Sequence, residues 1–435
     1  MHIIGIESKM TGTDNQIRGI VLQGAKLLKK GEKVPVSRKA LLKAPDGTIL
    51  HPKNFSSLTD FKKAVEASVD AYLKEKKAPD FVVLPFDQAK NKEENNDVDL
   101  LSFVIKKVFK TRGYRVKTMV LLSNLYDYKS VDLINVGKHQ LSDLDEAVLK
   151  SNLKLKSKVV ETLGAASNIN WKTIRNLAHQ PAIEKVLAKY QSSKEVPVEK
   201  LLTEKGGERG KKTVLFSVGG MTDNGAINFD IKDAATLIKA SRNLQKRGYN
   251  VIFTNSRRTP SDVTDYLFEK CKLYRMEFFN SKKIAQNNEE TKNFCNYSGK
   301  YKKEFEKQAK NIGNIYPAVL NVCEFVVNTH DSFSYTSDAA ALGIPSVVYT
   351  GNFIDEKRRP DCYKLFDLCH EKGYVISLDE AIRKIERGEE IKTKKMDDVS
   401  TQLVGAMVKS LGLEHQNANF VCKQLSANAK SGRGS

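Results

Sequence analysis

Asn250-Val251-Ile252-Phe253-Thr254-Asn255-Ser256-Arg257-Arg258-Thr259-Pro260 opens the reading of this chain. The apolar and β-branched run predicts a strand over Asn250–Thr254. The polar residues after it predict a turn, and Pro260 stands where proline favours the start of a helix over 261–272. Upstream, Asp230–Gly248 reads as a helix and Thr213–Val218 as a strand closed by Gly219–Gly220. Downstream, Glu324–Asn328 reads as a strand ending at Thr329-His330-Asp331-Ser332. Ser334–Leu342 then reads as a helix, Gly343-Ile344-Pro345 as a turn and Ser346–Tyr349 as a further strand. Strand, turn and helix repeated in this order predict a parallel sheet with crossover helices. Ligands of such sheets bind beyond the carboxyl ends of the strands.

The first half carries the same alternation. Strands are expected at Ile3–Ile6, Phe81–Pro85, Val116–Leu122 and Leu133–Val136, and helices at Asn15–Lys30, Ser57–Glu75 and Val98–Thr111. Residues 86–97 are polar and predict a surface loop, and helical material is expected from about 140 to 192. Tyr190–Lys212, rich in Ser, Glu, Lys and Gly, reads as a linker. An α/β chain of 435 residues exceeds one comfortable core, so the expected division is 1–205, 206–390 and a C-terminal helical tail over 391–435. Leu378–Arg387 reads as a helix that runs into the mixed region beyond about 385, Ser400–Leu411 reads as another, and the final ten residues are expected to fray.

Composition narrows the classes of function. No apolar run is long enough for a membrane span, and Met1-His2-Ile3-Ile4-Gly5 reads as a strand and not as a signal peptide, so a cytoplasmic location is expected. The six cysteines, at 271, 295, 323, 362, 369 and 422, lack metal-binding spacing and read as free thiols in a reducing compartment. No bound metal or cofactor is expected. Net charge is +20, carried mainly by lysines in the stretches 26–39, 74–77, 105–118 and 205–212. A solvated lysine-rich face explains this first, and peripheral contact with an anionic membrane comes second. No recognition helix or RNA-binding signature is present, so no specific nucleic-acid partner is expected.

Several segments could carry chemistry. Gly219–Gly220 allows backbone N–H groups to approach a ligand closely, or simply makes a turn; neither GxGxxG nor a GK[ST] signature accompanies it. Ser256, Arg257, Arg258 and Thr259 would set two guanidinium groups and two hydroxyls beside a helix N-terminus, a combination suited to phosphate or carboxylate; the plainer reading is a solvated turn with a cap. Asp331, Ser332, Ser334 and Ser337 open the next helix with more hydroxyls than capping requires. Asp338 could accept hydrogen bonds from a ribose or sugar. His330 has no paired base and is not assigned catalysis. Near the N-terminus, Asp14 or Asn15 would cap the first helix, with Gln16 facing an interdomain cleft.

The runs Val251–Pro260 and Asn328–Ala339, with Gly343-Ile344-Pro345, resemble the mitochondrial fission ELM-like family, as do Asp14-Asn15-Gln16 and Thr162-Leu163-Gly164-Ala165. The chain departs from that family's pattern at Asp338, where glutamate is usual, and at Tyr335, where methionine is usual. It also departs at Pro85-Phe86-Asp87-Gln88, where the family carries an arginine-rich turn. The resemblance implies a GT-B-like fold, two Rossmann-like domains facing a cleft, with a nucleotide-sugar held mainly by the second. It implies a metal-independent glycosyltransferase in which Arg257 and Arg258 hold the leaving diphosphate. Ser332 and Ser334 donate hydrogen bonds to it, and Asp14 serves as candidate base. The missing arginine turn raises the alternative of a catalytically inactive scaffold that binds protein or membrane partners.

Overall fold

Parallel strands covered on both faces need uninterrupted apolar runs, and the chain supplies two sets of them. The computed structural model describes residues 1–8, 11–28, 41–85, 92–123, 125–188, 212–222, 224–281, 297, 299–312 and 315–413. The chain divides into two units, Met1–Asn168 with the segment from Asp397 onward, and Ile169–Met396.

The first unit is built on β1 (Ile3–Ile6), β2 (Leu41–Leu42), β3 (Phe81–Leu84), β4 (Lys117–Val120), β5 (Leu133–Gly137) and β6 (Val159–Thr162). They form one sheet in the order β2-β1-β3-β4-β5-β6, with every pairing parallel. Its crossover helices are Thr11–Leu28, Leu58–Glu75 and Lys92–Thr111. Ser57 starts the second of these, its hydroxyl accepting from the Asp60 N–H. The helix Val399–Ser410, capped by Asp398, returns to this unit and buries Leu403, Val404 and Met407 with Ile17, Ile20 and Phe81.

The second unit has β7 (Thr213–Val218), β8 (Asn250–Asn255), β9 (Glu277–Phe279), β10 (Cys323–Thr329), β11 (Ser346–Tyr349) and β12 (Val375–Ser377). Read from one edge, the parallel order is β9-β8-β7-β10-β11-β12. Numbered within the unit, this is the Rossmann order 3-2-1-4-5-6, in which the winding reverses between the first and fourth strands, here β7 and β10. Phe216 and Phe253 stack on one face with centroids 4.7 Å apart, while Leu215, Ile252 and Val326 line the other. Two Rossmann-like α/β units are thus present, as expected.

Several expectations are corrected. The domain boundary falls at Asn168/Ile169 and not at 205. The helices Trp171–Ala178 and Pro181–Leu187 bury Ile174, Ile183 and Leu187 against Leu215, Ile252 and Val326 of the second sheet, so they dock before the polar stretch begins. Composition marks where burial stops, which is not where the core changes. The tail is not a separate element either, because Val399–Ser410 belongs to the first core. A strand, β6, lies inside the stretch expected to be helical, and the third helix starts at Lys92, within the expected loop. Strands β2, β9 and β12 have two or three residues each, too short for alternation to register. The helix Pro360–Glu371 was also not foreseen. The linker residues 189–211, the segment 86–91 and the tail from 414 onward lie outside the described residues.

Candidate functional site

At the tips of β7, β8 and β10 the predicted residues meet. The Thr259 hydroxyl donates to the Gly219 carbonyl and accepts from the Ser256 N–H at 3.0 Å. The Arg258 N–H donates to the Ser256 hydroxyl at 3.2 Å. Ser256 and Thr259 therefore build their own turn, and their hydroxyls are engaged there and not held out to a ligand. The Met221 N–H donates to the Arg258 carbonyl at 3.0 Å, which ties that turn to the strand beside it.

Gly219 and Gly220 are required by this contact. A Cβ on Gly219 would stand 2.0 Å from the Asp331 carboxylate, and one on Gly220 would stand 2.1 Å from the Arg258 backbone. What approaches the glycine pair so closely is the protein itself. The Gly219 N–H donates to the Thr329 hydroxyl at 2.7 Å and the Gly220 N–H to Asp331 Oδ2 at 3.3 Å.

Asp331 is the centre of the arrangement. Its side chain has no exposed surface, and Arg258 Nη2, 27% exposed, donates to its Oδ2 at 2.6 Å. The other oxygen, Oδ1, is buried and has no hydrogen-bond partner. Arg258 thus points at a buried carboxylate, while Arg257 is exposed and engages none of the described residues.

The helix Phe333–Leu342 opens directly after this aspartate. Ser332 is its N-cap but makes no side-chain cap bond, so its hydroxyl is not used on the helix. First-turn N–H groups have no partner within a helix, and they carry the positive end of its dipole. Ser334 is exposed at that opening. Ser337 instead donates to the Phe333 carbonyl at 2.6 Å, and Asp338 is buried. Burial, together with the Asp338 charge, raises the Tyr335 hydroxyl to about 12 and drives the Tyr316 hydroxyl up as well. The Arg258–Asp331 ion pair therefore brings the turn that bears Arg257 to the start of this helix, where Ser334 is exposed while Ser332, Ser337 and Asp338 are buried.

One residue escaped the sequence reading. Arg359 donates through Nε and Nη2 to both oxygens of Asp361, each at 2.8 Å, and lies over the Phe333 ring at 5.8 Å. The Asp361 hydrogen bonds raise its pKa most, and Asp331 adds to that rise. The signal was available, because Arg358-Arg359-Pro360 repeats the adjacent-arginine, proline, helix pattern of Arg257-Arg258-Thr259-Pro260.

His330 belongs to the packing. Its ring lies 5.0 Å from Phe353 and 4.9 Å from Tyr363. Its Nδ1 is 3.2 Å from the Tyr349 carbonyl, which can only accept, so Nδ1 carries the proton. Burial lowers the pKa from 6.5, so the unfolded chain takes up the proton first. Stability contributed by neutral His330 is full above 6.5 and falls as pH drops through and below it. His330→Phe is expected to flatten the fall of Tm between pH 7 and pH 5 (about one unit either side of the ordinary histidine value), as followed by thermal denaturation. An unchanged slope would exclude His330 as its source.

Asp14, the candidate base, lies in the first unit. It is buried and sits inside the first turn of the helix Thr11–Leu28 instead of preceding it. Its Oδ1 accepts from the Ser8 N–H at 2.9 Å and the Ser8 hydroxyl at 2.7 Å, so it ties the end of β1 to the helix.

A cavity of about 760 Å³ opens elsewhere in the second unit, beyond β11 and β12. Asp230, Asp233, Asp355 and Asp379 line it. Asp230 caps the helix Ile231–Lys246, and Asp233 accepts from the Tyr349 hydroxyl at 3.0 Å. Its acidic lining disfavours a phosphate, so size alone does not make it the ligand site. Among the described residues no cluster of His, Cys, Asp and Glu could hold a metal ion. None of the described helices is long and apolar enough to cross a membrane.

The two sheets define a Rossmann-type α/β protein. Solved structures with a similar chain course include the UDP-GlcNAc 2-epimerase of Methanocaldococcus jannaschii in complex with UDP-GlcNAc and UDP. Its TM-score is 0.43 at 10% identity, covering 94% of this chain and 98% of that one. The glycosyltransferase SnogD of Streptomyces nogalater scores 0.35 at 12% identity over 98% and 99% of the two chains. The Streptomyces sp. SF2575 glycosyltransferase SsfS6 scores 0.33 at 11% over 94% of each. No protein-family model matches the sequence, and no curated protein matches it.

Proposed function

We propose that the second unit binds a phosphorylated, nucleotide-like ligand, with a nucleotide-sugar as the leading class, beyond the tips of β7, β8 and β10. One observation carries this reading. The turn that bears the exposed Arg257 is tied by the Arg258–Asp331 ion pair to the start of the helix Phe333–Leu342, where the Ser332 hydroxyl makes no cap bond, beside the strands between which the winding of the sheet reverses. Fixed donors and a guanidinium at a helix N-terminus suit phosphate oxygens, and a reversal of winding opens the crevice that takes the ligand.

On this reading Arg257, and not Arg258, meets the diphosphate. Glycosyl transfer and membership of the ELM-like family are the finer parts of the proposal, with Asp14 as base. Asp14→Asn should then keep nucleotide binding and lose turnover. A second reading, an inactive scaffold, is favoured by the commitment of Arg258 to Asp331 and of the Ser256 and Thr259 hydroxyls to their own turn. Turnover of any nucleotide-sugar would exclude it.

The test is a thermal-shift and equilibrium-dialysis series with UDP, GDP, ADP and CMP, their sugars and inorganic phosphate. A hydrogen bond to a charged group contributes about 1.5–3 kcal/mol, so Arg257→Ala should weaken nucleotide binding about 10- to 100-fold. No binding of any of these ligands to the wild type would sink the proposal.

A further inference from the structure

The first unit carries an exposed surface that none of the reading above uses. The helix Asp143–Ser151 is followed through Asn152 by the helix Leu153–Lys158. Leu149 and Leu155 anchor the pair to the core, but Leu144 and Leu153 are each 75% exposed and Val148 is 38% exposed. Leu144 and Val148 are four residues apart and share one helix face. Single exposed leucines are ordinary, whereas here three exposed aliphatic side chains fall within ten residues of chain.

The charges around this patch are ordered. Asp143 and Glu146 stand at its start, and Lys150, Lys154 and Lys156 at its end, all exposed. None of the five has an ion-pair partner among the described residues. Asp145 is excluded from the count, because it accepts from the Ser142 N–H and hydroxyl.

We propose that this surface pairs with a second copy of the same chain about a twofold axis near Val148. A twofold places the start of one copy against the end of the other, twice over. Asp143 and Glu146 then meet Lys150, Lys154 and Lys156 of the partner copy in both directions, with Leu144, Val148 and Leu153 covered between them. An anionic bilayer is the poorer fit, since two carboxylates flank Leu144. Two short helices offer less than the roughly 800 Å² per partner of a standard interface, so the dimer is weak and sensitive to salt.

Sedimentation equilibrium of the full chain at low ionic strength tests this, with circular dichroism confirming that each variant is folded. The wild type should weigh two chains, and Leu144→Glu with Leu153→Glu should weigh one. An acid-reversed variant (Asp143→Lys, Glu146→Lys) and a base-reversed variant (Lys150→Glu, Lys154→Glu, Lys156→Glu) should each be single, and should regain the double mass when mixed. A wild type that stays single, a dimer that survives the reversals, or a mixture that fails to pair would overturn the proposal. So would vesicle binding lost in the leucine variant without self-association. Nucleotide binding by the second unit is unaffected by any of these outcomes.

Discussion

Arg258→Ala is expected to destabilise the second unit by about 3–5 kcal/mol, the cost of stranding a buried charge whose partner has been removed. The asymmetry of the pair sets the size. Asp331 has no exposed side-chain surface while Arg258 is 27% exposed, so the carboxylate left behind cannot turn to water. Asp331→Ala should cost less, because the arginine left behind can. The double variant should be more stable than the sum of the two losses, since both remove one interaction. Urea denaturation of the three variants measures all of this. A loss within about 0.5 kcal/mol for Arg258→Ala, the usual result for an unremarkable surface site, would mean that the pair does not hold the strand tips together. Arg257→Ala, one residue away, should leave stability unchanged and act on ligand binding alone. The two neighbouring arginines are separated by function although their sequence context is the same.

Gly220→Ala should cost about 3 kcal/mol, the upper part of the usual range for overpacking. The added methyl would meet the Arg258 carbonyl carbon and oxygen at 2.1 and 2.2 Å and the Thr259 nitrogen at 2.4 Å, backbone atoms that cannot swing aside. For Gly219→Ala the three nearest atoms all belong to the Asp331 carboxylate, at 2.0–2.4 Å. That side chain can rotate, but only by loosening its bond to Arg258, so the expected loss is about 1–3 kcal/mol. Paired denaturation curves give the order. If Gly219→Ala were the more damaging, the ion pair would be more rigid than the backbone turn, and the tip would need a different account.

The elements were largely legible. Thr213–Val218 and Ser346–Tyr349 have the bounds expected for them, because apolar runs ended by glycine or proline are local signals. The short strands β2, β9 and β12 were not legible, since two or three residues carry no pattern and their place depends on the neighbour that pairs with them. Arg359 carries a local arginine-proline signal, but its contact with Phe333 links segments that the chain keeps apart.

Sequence alone determined that this is an α/β chain with polar, arginine-bearing turns after its strands, since propensity, periodicity and helix-start residues act over a few positions. Only the tertiary structure decided the strand order, the unit to which the helices Trp171–Ala178 and Val399–Ser410 belong, and the fate of each site residue. Arg258 and Asp331 are 73 positions apart, and nothing local distinguishes Arg258 from Arg257. Packing buried one carboxylate and brought one of the two guanidinium groups to it, which left the other facing solvent.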